Sequence, residues 1–207
     1  MPEHESVPDT RICFIGDSYV AGVGDPATLG WVGRVAAAAV ADGIALTSYN
    51  LGIRGQTGPQ IAERVTAEVP PRLGPAEDPR LVVSFGANDT VEVGGRRRAS
   101  LVESVTALEH IRSTIDVPLF VVGPPAVEDD AQNRRIAELD KALHASADQL
   151  GVPYVGFYAP TNASASWRRE ITNGDGYHPG AHGYELLAQI AAPHVLRWLR
   201  TSPTARQ

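Results

Sequence analysis

Cysteine is almost missing from this 207-residue chain. Cys13 stands alone, so no disulfide can form within it and nothing calls for an oxidising compartment. Long apolar runs are missing as well, and the N-terminus lacks the basic-then-apolar pattern of a secretory signal. The expectation is a cytoplasmic protein with no integral membrane segment. Basic charge is in deficit: 18 Lys and Arg against 24 Asp and Glu leave a formal net charge of −6. That argues against a general nucleic-acid-binding role, which needs a basic footprint. No internal repeat, low-complexity tract or interdomain linker breaks the sequence. The length suits one domain around one core, expected over residues 11–200, with polar, proline-containing tails at 1–10 and 201–207.

What the chain does have is alternation. Short apolar runs at 12–15, 45–49, 81–85, 119–122 and 154–157 have the length of buried strands. Between them, helical stretches are expected near 30–42, 59–68, 100–115 and 131–150, with a last one near 181–200. In the fourth, Ile136, Leu139, Leu143 and Leu150 keep a helical spacing while Arg134, Arg135, Glu138 and Lys141 are free to face water. The Pro-rich segment 70–75 reads as a loop, and 159–173 as an unusually long one. Strands separated by helices imply an α/β fold, a parallel sheet covered on both faces. Ligands of such open sheets bind beyond the carboxyl ends of the strands, so functional side chains are expected just after the apolar runs.

Ser18 follows the first run, in Gly16-Asp17-Ser18-Tyr19-Val20-Ala21-Gly22. A serine hydroxyl is a poor nucleophile until an imidazole takes its proton, and the imidazole needs a carboxylate to fix its tautomer. Asp175-Gly176-Tyr177-His178-Pro179 supplies both on one short loop. Donors for a developing oxyanion are available after the next two runs. Gly55, in Asn50-Leu51-Gly52-Ile53-Arg54-Gly55-Gln56-Thr57, can present an N–H with no side chain in the way. Asn88, in Gly86-Ala87-Asn88-Asp89, carries a donating amide. With the N–H of Ser18 this makes three donors. Gly52 competes with Gly55, but the spacing from Asn50 to the Gly-x-Thr step favours Gly55.

These four blocks, in this order, resemble the SGNH hydrolases, also called GDSL lipases and esterases. The similarity spans residues 11 to 184. It implies a three-layer α/β/α sandwich with a five-stranded parallel sheet in the flavodoxin-like order 2-1-3-4-5. It also implies Ser18 as nucleophile, His178 as base and Asp175 as its partner, with Ser18, Gly55 and Asn88 forming the oxyanion hole. No cofactor or metal is implied; the substrate is a small ester. Tyr19 stands where Leu is commonest in the first block, a difference that bears on the pocket wall.

Each residue also has a plainer use. Ser18 is well suited to capping the helix that follows, and Asp17 to shaping the turn or accepting backbone N–H groups. Asp89 suits a turn that aims Asn88. His178 and His182 stand four apart, but the Glu of a His-Glu-x-x-His zinc pattern is missing, so His182 is read as a helix-surface residue. Arg96-Arg97-Arg98 reads as a solvated face rather than a phosphate contact. Tyr19, Trp167 and Tyr177 are the expected substrate contacts, with Arg168 and Arg169 beside Trp167 on the rim. With nearly all the chain used in five βα units, the pocket is expected to be open and suited to short acyl groups. Activity should rise with pH as the imidazole becomes neutral. The catalytic blocks do not separate simple esters from acyl-thioesters, lysophospholipids or acetylated sugars. A non-catalytic flavodoxin-like binding module is the rival of another class, but Gly16–Gly24 lacks the Gly-Lys-Ser/Thr ending of a phosphate loop.

Overall fold

A computed structural model of the protein describes residues 8–201. Its main sheet has five parallel strands: β1 (Thr10–Gly16), β2 (Leu46–Gly52), β3 (Asp78–Ser84), β6 (Leu119–Val122) and β7 (Tyr154–Val155). They lie in the order β2-β1-β3-β6-β7, which is the expected 2-1-3-4-5 order. Two short antiparallel strands, β4 (Glu92–Val93) and β5 (Arg96–Arg97), form a separate hairpin. The helices are α1 (Ser18–Ala21), α2 (Gly30–Ala41), α3 (Gly58–Leu73), α4 (Leu101–Thr114), α5 (Asp130–Gln149), α6 (Tyr158–Ala163), α7 (Ala165–Thr172) and α8 (Ala181–Leu199).

Because successive strand residues point to opposite faces, β1 feeds two cores at once. Ile12 and Phe14 pack with Trp31 of α2, Trp167 and Ile171 of α7, and Tyr184 and Leu187 of α8. Cys13 and Ile15 pack with Ile61 and Val65 of α3, Leu108 of α4 and Leu139 of α5. The inner strands β1, β3 and β6 are apolar on both sides for this reason, giving continuous runs rather than alternation. Strand β2, expected as a buried strand, instead lies at the sheet edge with only Leu51 buried. Trp31 meets Phe14 and Phe157 edge-on, with ring centroids 5.6 and 5.5 Å apart. Burial pushes the Cys13 thiol up to about 12, leaving it a small core hydrophobe.

Three expectations need correction. Helix α3 runs on through Pro70 and Pro71 to Leu73, because both prolines sit in its last turn while Val69 and Leu73 stay buried on its inner side. Each proline takes away an N–H that would reach the carbonyl of Thr66 or Ala67, and the burial of Val69 and Leu73 offsets that loss. The segment 159–173 is a pair of short helices, α6 and α7, with Ser164 capping the second through its bond from Trp167 N–H. The expected tails fall mostly outside the described residues, but Thr10 already belongs to β1 and is buried. The Thr201 carbonyl accepts from Arg80 Nη2 at 2.5 Å.

Candidate active site

The sheet register explains why residues far apart in sequence meet. Gly16 of β1 is level with Gly52 of β2 and with Ser84 of β3, so three strands end on one line. Ser18, Gly55 and Asn88 follow two, three and four residues after those ends. Helix α1 lies directly on this rim: a Cβ at Gly52 would stand 2.2 Å from the Ala21 backbone nitrogen, so only glycine lets the two segments touch. Asp17 caps α1 by accepting from Tyr19 N–H at 2.9 Å. Ser18 is the first residue of that helix and is buried, with its own N–H outside the helical ladder.

The loop before α8 brings the imidazole to Ser18. His178 Nε2 is 2.8 Å from Ser18 Oγ, and His178 Nδ1 is 2.7 Å from Asp175 Oδ2. A carboxylate only accepts, so Nδ1 carries the proton and Nε2 is left to accept from the serine hydroxyl. Asp175 Oδ1 also accepts from the backbone N–H groups of Tyr177 and His178, at 3.0 and 2.8 Å. Partial burial pushes the Asp175 carboxyl up, but the hydrogen bonds from His178 and Tyr177 outweigh this and hold it down at about 2. Glu170 of α7 fixes the far end of the loop, accepting from Gly180 and Gly183 N–H at 2.9 and 2.8 Å, at the N-terminus of α8.

The oxyanion candidates are held by a separate set of contacts. Asn88 Nδ2 donates to Asp17 Oδ2 at 3.2 Å, using one of its two hydrogens. Burial pushes the Asp17 carboxyl up to about 7, against the bonds from Tyr19 and Asn88 that favour its charge. Asp89 is fully buried; it accepts from Gly58 N–H at 3.0 and 3.1 Å and from Ser104 Oγ at 2.7 Å, tying the Asn88 turn to α3 and α4. Gly55 is exposed, with φ +76° and an N–H that has no acceptor among the described residues. The N–H of its rival Gly52 already donates to Asn50 Oδ1 at 3.0 Å. Arg98, just after β5, donates from Nη2 to the Gly55 carbonyl at 2.7 Å. Arg64 of α3 donates to Gly16 O and Leu51 O at 2.9 and 2.8 Å, pinning the ends of β1 and β2 together. Beside the Gly55 loop opens a cavity of about 310 Å³ lined by Thr57, Pro59, Gln60, Arg98, Ala99 and Glu103.

Residues 14–186 match the model of the GDSL-like lipase/acylhydrolase family. The chain belongs to that family. It is a GDSL-type carboxylic ester hydrolase. No curated protein matches it. Among solved structures it is similar to the lipase/acylhydrolase from Enterococcus faecalis, with 24% identity and a TM-score of 0.76 over 96% of this chain and 99% of that one. The psychrotrophic esterase EstA from Pseudoalteromonas sp. shares 17% identity and a TM-score of 0.71, over 93% of this chain and 100% of that one. The acetylxylan esterase Axe2 from Geobacillus stearothermophilus shares 18% identity and a TM-score of 0.67, over 94% and 96%. At these identities the likeness is one of fold.

Two of the expected substrate contacts are buried in this acylhydrolase. Trp167 is 0% exposed, stacks on Tyr19 with centroids 6.4 Å apart, and donates from Nε1 to Ala126 O at 2.9 Å. It is a core residue, not a rim contact, because α7 turns its apolar side inward. Tyr19 is 2% exposed; its hydroxyl donates to the Tyr177 carbonyl at 2.8 Å and its ring leans on His178. Tyr177 is half-buried, with its phenol donating to Gln132 Oε1 at 2.9 Å. Arg168 and Arg169 are exposed, and Arg168 bonds Asn162. Of the arginine run, Arg97 pairs with Glu138 at 2.7 Å. His182 is on the surface of α8 beside Glu170. Among the described residues no group of three His, Cys, Asp or Glu side chains could hold a metal, and no helix is long and apolar enough to cross a membrane. The links from Gln132 to Tyr177, from Arg64 to the ends of β1 and β2 and from Arg98 to Gly55 left no mark in the sequence, since they span 13 to 48 positions.

Proposed function

We propose that this acylhydrolase cleaves esters of short acyl groups through an acyl-enzyme, with Ser18 as nucleophile, His178 as general base and acid, and Asp175 as its orienting partner. The observation that carries the reading is the continuous line from Asp175 Oδ2 through His178 to Ser18 Oγ, at 2.7 and 2.8 Å. Ser18 Oγ attacks the ester carbonyl while His178 Nε2 takes its proton, and the carbonyl electron pair moves onto oxygen. The Ser18 and Gly55 N–H groups and the Asn88 amide receive that oxyanion. Collapse breaks the bond to the alcohol, which leaves with the proton from Nε2. Water then attacks the acyl-enzyme with His178 again as base, releasing the acid and restoring Ser18. Throughout, Nδ1–H stays on the imidazole, facing Asp175.

A short-acyl preference is supported by how open the site is: the Asp175 side chain is 54% exposed and Gly55 lies at the surface. The deciding assay compares acetyl, butyryl and long-chain chromogenic esters, together with an acyl-thioester, a lysophospholipid and an acetylated sugar, on the intact enzyme and on Ser18→Ala. Turnover highest on the short esters, abolished in the variant and accompanied by organophosphate labelling of Ser18 alone is the expected result. Faster cleavage of the long-chain esters would overturn the acyl preference, and full activity in Ser18→Ala would overturn the nucleophile.

A further inference from the structure

Tyr177 lies between Asp175 and His178, and both of its polar ends are taken. Its carbonyl accepts from Tyr19 Oη at 2.8 Å, tying the loop to the helix that begins with Ser18. Its phenol donates to Gln132 Oε1 at 2.9 Å. Gln132, in the first turn of α5, is 2% exposed, and its Nε2 donates to Ala87 O at 2.9 Å and to Thr90 Oγ1 at 3.2 Å. Thr90 Oγ1 in turn donates to Ala87 O at 2.8 Å. The Gln132 amide thus has both hydrogens and its oxygen committed, and turning it over would set its oxygen against the Ala87 carbonyl. Ala87 directly precedes Asn88.

We infer that Gln132 and Tyr177 form a buried strut that sets the distance and angle between the His178 imidazole and the Asn88 amide. This rests on the reading of Ser18, His178 and Asn88 given above. Base and oxyanion donor sit on loops 90 positions apart in the sequence, and their backbones share no ladder: one precedes α8 and the other follows β3. The hydrogen-bonded path from Tyr177 through Gln132 to Ala87 is a direct polar link between them. Buried networks with every member satisfied hold a single geometry, and misplacing a catalytic group by about 1 Å costs about 100-fold in rate. Gln132 and Tyr177 are therefore positioning residues.

The test is steady-state kinetics on Tyr177→Phe, Gln132→Met and the double variant, with active sites counted by end-point organophosphate labelling. Phe keeps the ring and Met nearly keeps the volume. Ala87 O retains its bond from Thr90 in both, and the half-buried Tyr177 phenol can turn to water, so folding should survive. The expected result is a fall of about tenfold in kcat per labelled site with KM changed less than about twofold. The double variant should be no worse than the more damaged single one, because both cut the same link. Unchanged kcat per site with only a lowered melting temperature would make the network structural and overturn the inference. If Gln132→Met fails to fold, Tyr177→Phe decides alone. Ser18→Ala, measured alongside, separates the two readings: inactive Ser18→Ala with unimpaired Tyr177→Phe sinks the strut only, whereas active Ser18→Ala sinks the site itself.

Discussion

Asn88 Nδ2 donates to Asp17 Oδ2 across 3.2 Å, so the amide proposed as an oxyanion donor is oriented by the residue that precedes the proposed nucleophile, Ser18. Asp17 accepts twice, from Tyr19 N–H and from Asn88, and donates nothing while ionised. An asparagine at 17 could still accept from Tyr19 N–H, but its NH₂ would then face that of Asn88. We expect Asp17→Asn to fold and to lose about 10- to 100-fold in kcat, short of the loss when an oxyanion donor is deleted outright. KM should be nearly unchanged. Kinetics on a chromogenic ester checks this, and an unaltered kcat would show that Asn88 finds its orientation elsewhere.

The same carboxyl shapes how stability varies with pH. Burial raises Asp17 to about 7 and raises Asp89 as well, so both bind a proton more tightly folded than unfolded. An acid shifted upward makes the folded state most stable below its ordinary value near 3.8, and that stability is lost as pH rises toward the shifted value. Asp175 has the opposite sign: held at about 2, it favours the folded state above 3.8 and gives this up as pH falls from there toward 2. Melting temperatures from pH 4 to 8 should therefore show the gap between Asp17→Asn and the unaltered protein shifting in the variant's favour as pH rises. A gap that stays constant over that range would mean Asp17 is ionised throughout.

Much of the candidate site's layout was legible because its proposed groups lie close together in sequence or at strand ends. Asp175 and His178 lie on one loop, and Ser18, Gly55 and Asn88 each follow an apolar run that became a strand. What stayed hidden was set by packing. Whether Trp167 faces solvent or core depends on how α7 rolls against α8, and a segment with few apolar residues gives no strong period to read. Pro70 and Pro71 signalled a break, but the burial of Val69 and Leu73 carried the helix past them. Tyr19 looked like a pocket wall because its position follows Ser18; its partner, the Tyr177 carbonyl, is 158 residues away.

Trp167 offers a clean separation of rim from core. Fully buried, stacked on Tyr19 and bonded to Ala126 O, it should cost about 3–5 kcal/mol of stability when cut to alanine. Trp167→Phe should fall between, keeping a ring but losing the N–H bond. Denaturant unfolding of both variants measures this, with KM as the control. A raised KM at unchanged stability would restore the rim reading.

Arg98 supports the Gly55 loop from outside. Nothing lies within 4 Å of the place a Gly55 Cβ would occupy, and the Gly55 carbonyl is held by the bond from Arg98 Nη2, while Gln56 and Ile53 on either side are tied to Arg64 and Gly16. The arginine is exposed, so water competes for the same bond and its net contribution falls below the range of a charge-assisted bond, to about 1 kcal/mol. That converts to a loss of about fivefold in kcat for Arg98→Ala if the loop must be ordered in the transition state. Arg98→Lys should recover only part, because an ammonium lacks the guanidinium's fixed fork. A further comparison tests where the effect acts: if Arg98 works through Gly55, Arg98→Ala should cost far less in a Gly55→Ala background, where the strained φ of +76° has already displaced the loop. Additive losses in the two variants would mean that Arg98 touches the substrate instead.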